Sequence, residues 1–232
     1  TFGDDTYTYT GGNIPTTLIS GEVGLSARAI SPGLMSITVP AGKMIDKLAL
    51  KYTMVSTSPA WISEQRSFLL CCTNCVTETQ VTAGEGYSSG SYHYNRRGLT
   101  IAYGLSGTVD FELHAFRTEE SSNDLAWVEN GSWQLAVSFT DHSPTGLTAS
   151  NIDYDSVDLS WSENCVPASS AWDLIYGQVG FDPVSEGTLI ENLNSNSHTL
   201  DGLDEGSAYS WYVRSRISTG GVSDWSGPQT FL

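Results

Sequence analysis

The sequence predicts an all-β protein made of two β-sandwich domains, and three observations carry that expectation. Apolar residues recur at every second position in many short segments, the spacing of a strand with one buried face. No segment sustains a helical period over three turns. Clusters of Gly, Ser, Asn and Asp separate the alternating segments, in a chain holding 23 Gly, 7 Trp, 11 Tyr and 7 Phe but only 10 Lys and Arg. At 232 residues the chain suits two domains of roughly 100–150 residues, each large enough to bury its own core. Thr140 to Ser143 (TDHS) reads as a short polar linker, which places the domains at 1–140 and 141–232.

The clearest single element is Ala208 to Arg216, AYSWYVRSR. Tyr209, Trp211 and Val213 alternate with Ser210, Tyr212 and Arg214, as in a strand buried on one side. Leu203 precedes a turn of Asp204, Glu205 and Gly206, and Tyr209 follows it. That order predicts a tyrosine corner, in which the phenol oxygen bonds to backbone a few residues upstream and pins a sandwich together.

In chain order, Thr1 to Thr10 predicts an opening edge strand. Glu22 to Ile30 (EVGLSARAI) and Leu34 to Val39 (LMSITV) predict two strands, separated by the turn Ser31-Pro32-Gly33. Ile45 to Met54 puts Leu48, Leu50, Tyr52 and Met54 on one face. Arg66 to Val76 predicts a strand pair around a cysteine cluster. Gly84 to Gly98 (GEGYSSGSYHYNRRG) is rich in Gly, Ser and Tyr and predicts a long hairpin or loop at the rim. Gly107 to Thr118 points Val109, Phe111, Leu113 and Ala115 inward, with Asp110, Glu112 and His114 on a polar face. Ser132 to Phe139 aligns Trp133, Leu135, Val137 and Phe139. This many strands without a helix suit a jelly-roll-like sandwich over a small closed barrel.

From Pro144 a series of landmarks appears: Pro144-x-x-Leu147, Ser156-Val-Asp-Leu-Ser-Trp161, Trp172-Asp-Leu-Ile-Tyr176, His198-Thr-Leu-x-Gly-Leu203, Gly206-x-x-Tyr209-x-Trp211-x-Val213 and Trp225-Ser-Gly-Pro-x-Thr-Phe231. In their order they resemble a fibronectin type III domain over residues 144–232. The resemblance implies a buried Trp161 on the second strand, the corner at Tyr209, and a spacer role. Thr219-Gly-Gly-Val stands before the last strand with no Arg-Gly-Asp, so integrin-type recognition is not implied. Asp224-Trp225-Ser226 is similar to half of the Trp-Ser box of cytokine receptors and reads as packing. In the first half, Val109–Thr118, Ser63–Leu70 and Ser132–Phe139 are similar to sandwich modules that precede fibronectin type III domains in large secreted bacterial surface proteins.

The charge excludes some partners. The formal net charge is −16. Residues 1–141 hold 14 acids and 8 bases, and residues 142–232 hold 12 acids and 2 bases with no Lys. Such a surface repels nucleic acid and anionic membrane, whose phosphates need clustered bases. No apolar run reaches 18 residues, so no membrane insertion is expected. The chain opens without Met or signal peptide and reads as a mature form or a piece of a longer protein, with flanking domains.

Chemistry-bearing residues are few. His93, His114, His142 and His198 lack a neighbouring nucleophile motif, and Asp110 and Glu112 share a strand face as solvated acids; no catalytic residue is expected. Cys71, Cys72, Cys75 and Cys165 allow three pairings. A local Cys72–Cys75 disulfide, free buried thiols and a zinc site at the CxxC spacing are the alternatives. Asp4 and Asp5 are the candidate calcium ligands. Asn130-Gly-Ser132 is a glycosylation sequon. Trp61, Tyr87, Tyr92, Tyr94 and Trp127 fall outside clean alternation, with Arg96 and Arg97 beside them. Aromatic planes stack on sugar rings while polar neighbours hold the hydroxyls, so these seven form the candidate ligand site for a glycan or another surface protein. The expected function is a non-catalytic secreted or cell-surface segment for adhesion or carbohydrate binding. The alternatives are a structural repeat of a stalk, filament or tail fibre, and an ancillary region of a polysaccharide-degrading enzyme.

Overall fold

The computed structural model describes residues 4–119, 125–163, 171–216 and 222–232, and contains no α-helix among them. The chain divides into two compact units, Thr1–Val39 with Ile45–Phe139, and Pro40–Met44 with Thr140–Leu232.

The first unit contains β1 (Asp5–Thr8), β2 (Ile14–Pro15), β3 (Thr17–Leu18), β4 (Gly33–Thr38), β5 (Lys43–Ser56), β6 (Gln65–Cys71), β7 (Val76–Thr77), β8 (Thr82–Ala83), β9 (Gly90–Leu99), β10 (Thr108–Arg117), β11 (Ala126–Val128) and β12 (Gln134–Asp141). One sheet runs β1-β12-β5-β11-β2 with β9 on β5; the other runs β3-β10-β6-β7 with β4 on β10 and β8 on β6. β1 lies at a sheet edge, as its Thr/Tyr alternation predicts. The period-two rows land inward. Leu48, Leu50, Tyr52 and Met54 of β5 are buried against Val109, Phe111, Leu113 and Ala115 of β10 and Trp133, Leu135 and Val137 around β12. Each such large apolar side chain contributes about 1.5–3 kcal/mol on burial. Gly33 lets the sheets close, because a Cβ there would lie 2.2 Å from Ile14 Cδ1 and 3.2 Å from the Trp133 ring.

Three expectations need correction. Residues 22–30 are not a strand. Their alternation is real, with Val23 and Ala29 buried and Leu25 and Ala27 half-buried, but they lie as an irregular cover packed with Phe68, Leu70 and Phe116 in a second apolar cluster. The outer row of β10 is therefore not wholly solvated, and His114, expected on a polar face, is buried beneath that cover. From Gly90 onward the expected hairpin or loop of residues 84–98 is neither, because residues 90–99 are one strand. They form β9, paired residue for residue with β5 from Ser56↔Gly90 to Ala49↔Arg97, with one irregularity before Leu48↔Leu99 that Gly98 absorbs at φ +69°.

The second unit contains β13 (Thr145–Ser150), β14 (Ser156–Ser162), β15 (Ala171–Gln178), β16 (Thr188–Leu193), β17 (Ser197–Asp201), β18 (Tyr209–Arg216) and β19 (Ser226–Phe231). They make a three-stranded sheet, β13-β14-β17, and a four-stranded one, β16-β15-β18-β19. Trp161, Trp172 and Trp211 meet in the core, with ring centroids 6.1 and 6.2 Å from Trp161. The tyrosine corner forms: the Asp204 N–H donates to Tyr209 Oη at 3.1 Å. The chain is thus all-β, with two sandwich domains.

Candidate ligand surface

The strand geometry of β9 sorts the predicted ligand residues. Successive side chains of a strand point to opposite faces, so Tyr92, Tyr94 and Arg96 turn toward the core while Ser91, His93, Asn95 and Arg97 turn out. Tyr94 is buried and stacks on Tyr52, centroids 4.8 Å apart and planes 10° from parallel. Tyr92 packs edge-on against Tyr94 at 4.9 Å. Neither ring of this pair offers the open plane expected of Tyr94.

Arg96 has a different task from the one expected. Its Nε lies 2.7 Å from Glu78 Oε1, its Nη2 donates to Glu78 Oε2 at 2.9 Å, and its Nη1 donates to Tyr52 Oη at 2.7 Å. Glu78, only 4 % exposed, also accepts the Leu69 N–H at 2.6 Å. Tyr52 and Ser67 share a further hydrogen bond. The network ties β5 and β9 of one sheet to β6 of the other. Burial works against the guanidinium charge, but Tyr52 and Glu78 more than offset it and hold the Arg96 pKa above its usual value. Burial pushes the Tyr52 and Tyr94 phenols up, so both stay neutral. Glu78 was missed in the sequence because nothing in Val76-Thr-Glu-Thr79 marks it as buried.

Trp61 and Tyr87 do come together at the surface. They are 44 % and 83 % exposed, and their rings meet edge to face at 5.8 Å. Backbone bonds fix both turns: Ile62 N–H to Ser88 O at 2.9 Å and Ser63 N–H to Gly86 O at 3.0 Å. The Trp61 N–H donates to Glu64 Oε2 at 2.9 Å across the single 3-10 turn Ile62–Glu64. Trp127, half-buried, sits on the outer face of β11 in register with Val55, which in turn pairs with Ser91. Beside them Thr53 Oγ1 meets His93 Nδ1 at 2.9 Å, and the Arg97 Nε donates to Asn95 Oδ1 at 3.5 Å. The seven predicted residues thus split into a core group (Tyr92, Tyr94, Arg96) and an outer group (Trp61, Tyr87, Trp127, Arg97).

Cys71, Cys72 and Cys75 are free thiols, so of the alternatives for this cluster the Cys72–Cys75 disulfide is not formed, and Cys71 is the buried thiol. Cys75 takes φ +61° at the turn and its thiol donates to the Cys72 carbonyl at 3.6 Å rather than meeting the other sulfur. Burial, with Glu112 nearby, raises the Cys72 thiol to about 11. Cys165 lies outside the described residues. Asp4 Oδ2 accepts the Phe139 N–H at 2.8 Å, and Asp5 is exposed on β1. Among the described residues no three His, Cys, Asp or Glu side chains are grouped to hold a metal. Asp110 and Glu112 are committed separately, Asp110 to Ser36 Oγ at 2.5 Å and Glu112 to His114 Nε2 at 2.9 Å.

In the second unit the polar centre is Asp173, fully buried on β15. Arg214 reaches it at 3.0 Å and Arg216 at 2.5 Å, and the Asn192 N–H donates to it at 3.2 Å. Arg214 also lies over the Trp225 ring, 4.3 Å from its centroid, so the Asp224-Trp225-Ser226 segment packs as expected. The only two bases among residues 142–232 thus converge on one carboxylate.

Three strands against four, a tryptophan core and a tyrosine corner define the second unit as an immunoglobulin-like sandwich module. The family model of the fibronectin type III domain matches residues 142–231, so this half of the chain carries that domain. No curated protein matches the chain. Among solved structures it is similar to a two-domain fibronectin type III segment of chicken tenascin, with 12% identity, 86% of this chain and 98% of that one covered, and a TM-score of 0.45. It is also similar to the FN5 domain of Drosophila Lar (18% identity, 38% and 90% covered, TM-score 0.31) and to a human collagen XX FN3 domain (19% identity, 40% and 93% covered, TM-score 0.33). Fibronectin type III domains typically serve as non-catalytic spacer modules of multidomain, commonly extracellular, proteins. Among the described residues no helix is long and apolar enough to cross a membrane.

Proposed function

We propose that this chain is a non-catalytic segment of a secreted or cell-surface protein, in which the second sandwich is a spacer and the first binds glycan. The observation that supports the binding role is the exposed Trp61–Tyr87 pair, two rings at 5.8 Å on turns fixed by backbone bonds. Large aromatics left in water on a rigid frame lose little entropy on meeting a ligand, and their faces match the apolar side of a pyranose. Trp127 on β11, in register with Val55 and through it with Ser91, supplies a third ring. A glycan-array screen of the whole chain tests this. Retention of at least one glycan, weakened tenfold or more by Trp61→Ala or Tyr87→Ala, is expected. Binding that survives both substitutions removes the assignment of the site, and no retained glycan leaves a purely structural module.

A further inference from the structure

We propose that residues 22–30 form a cover over the outer face of the second sheet that acid releases, with His114 as its latch. The cover has no place in the ladder of either sheet. Its alternate residues Val23 and Ala29, with Leu25 and Ala27, rest on Phe68, Leu70 and Phe116. At its far end two hydrogen bonds tie it down: the Ala29 N–H donates to His114 Nδ1 at 3.0 Å and the Ile30 N–H donates to Thr17 Oγ1 at 2.8 Å. Between Gly24 and Ile30 its other bonds are internal, from Ala27 N–H to Gly24 O and from the Arg28 guanidinium to the Leu25 and Ala27 carbonyls.

The latch bond fixes the protonation state of the imidazole. A ring nitrogen that accepts a hydrogen bond carries no proton, so His114 is the neutral Nε2–H tautomer, and its Nε2 faces Glu112 Oε2 at 2.9 Å. Phe68 and Phe116 stack on the ring at 5.1 and 6.2 Å, leaving it 1 % exposed. Protonating Nδ1 would set one N–H against another, cost the Ala29 amide its acceptor and place a cation in an apolar cluster.

The charges around the ring divide. Glu112 on β10 favours the imidazolium; Arg28 on the cover opposes it, as burial does more strongly. On the adjoining β6 the Arg66 guanidinium bonds to the Ser63 and Gln65 carbonyls, and on β10 itself the Arg117 guanidinium bonds to Thr16. Burial and Arg28 outweigh Glu112, so the closed form prefers the neutral ring. With the cover lifted, the imidazole regains its ordinary value of about 6.5. The closed form is therefore at full strength above that pH and loses ground as pH falls toward the lower value of the buried ring. Opening uncovers Phe68, Leu70 and Phe116, an apolar patch present only in acid.

Hydrogen exchange of the intact chain at pH 7.5 and 5.0, corrected for intrinsic chemical rates, reads the latch at the Ala29 amide. Protection falling tenfold or more at pH 5.0, while amides of β5 and β12 hold theirs, is expected. Equal protection at both pH values overturns the proposal. His114→Gln keeps an acceptor but cannot titrate, so its cover should remain protected at pH 5.0; a fall matching the unaltered chain assigns the effect to another group and ends the idea. Should that variant open at every pH, nitrogen shifts of His114 in the unaltered chain decide, because its titration midpoint must coincide with the opening midpoint. Glu112→Gln removes the carboxylate that helps the closed form tolerate the cation, so its cover should open at the same pH as in the unaltered chain or at a higher one; a midpoint moved to lower pH also counts against the latch.

Discussion

The two sandwiches each bury a carboxylate, and they do so in opposite ways. In the first, Glu78 comes from the stretch after β7, and Arg96 comes from a different sheet; their ion pair, with Tyr52 and Ser67, spans the interior. In the second, Asp173, Arg214 and Arg216 sit on β15 and β18, the two central strands of one sheet, in direct register at Asp173↔Arg214. A cross-strand cluster is set by local pairing and can shed one partner while another stays. A network between sheets depends on both sheets being in place at once, and loss of one member strands the other away from water.

Glu78→Ala should have the largest effect, about 3–5 kcal/mol, because it leaves the Arg96 charge buried without its partner. Denaturant titration of the full chain, following the transition of the first sandwich, measures it. A loss under about 1 kcal/mol would mean that water reaches the site and that the network does not join the sheets. Replacing both members by apolar residues (Glu78→Leu with Arg96→Met) should recover much of the loss, since the cost lies in the unpaired charge. Arg214→Ala should cost the second sandwich less, about 1–2 kcal/mol, because Arg216 and the Asn192 N–H still hold Asp173; a cost equal to that of Glu78→Ala would erase the contrast. Tyr209→Phe removes the acceptor of the Asp204 N–H and should cost about 1 kcal/mol in the same transition. Smallest of all, Trp61→Ala and Tyr87→Ala should each shift stability by no more than about 0.5 kcal/mol while weakening glycan retention tenfold or more. A large loss of stability there would make the pair a structural contact.

The same contrast explains what was legible. The second sandwich could be read from Trp161, Trp172, Tyr209 and Trp211 because its devices are encoded by short spacings: a corner whose partners are five residues apart, and strands whose inward rows are aromatic. In the first, β5, β10 and β12 were equally readable from their alternating rows. Gly84 to Gly98 was misread because its Tyr, Ser and Arg composition imitates a loop, whereas pairing with β5 decides that it is a strand. Arg96 was placed at a ligand surface because its partner, Glu78, is 18 residues away, and no local pattern joins them. The ring pair of Trp61 and Tyr87 was anticipated as a set of residues but not as a contact.

Alternation along the chain determined which side chains share a face, and with it the all-β class, the two sandwiches and the tyrosine corner. Periodicity is a property of the backbone itself, so one strand suffices to express it. Only the tertiary structure decided what covers each face: that residues 22–30 lie over β10 and enclose His114, and that Arg96 meets Glu78 instead of solvent. Burial of a polar group depends on elements distant in the chain, and its energy is set by the partner those elements deliver.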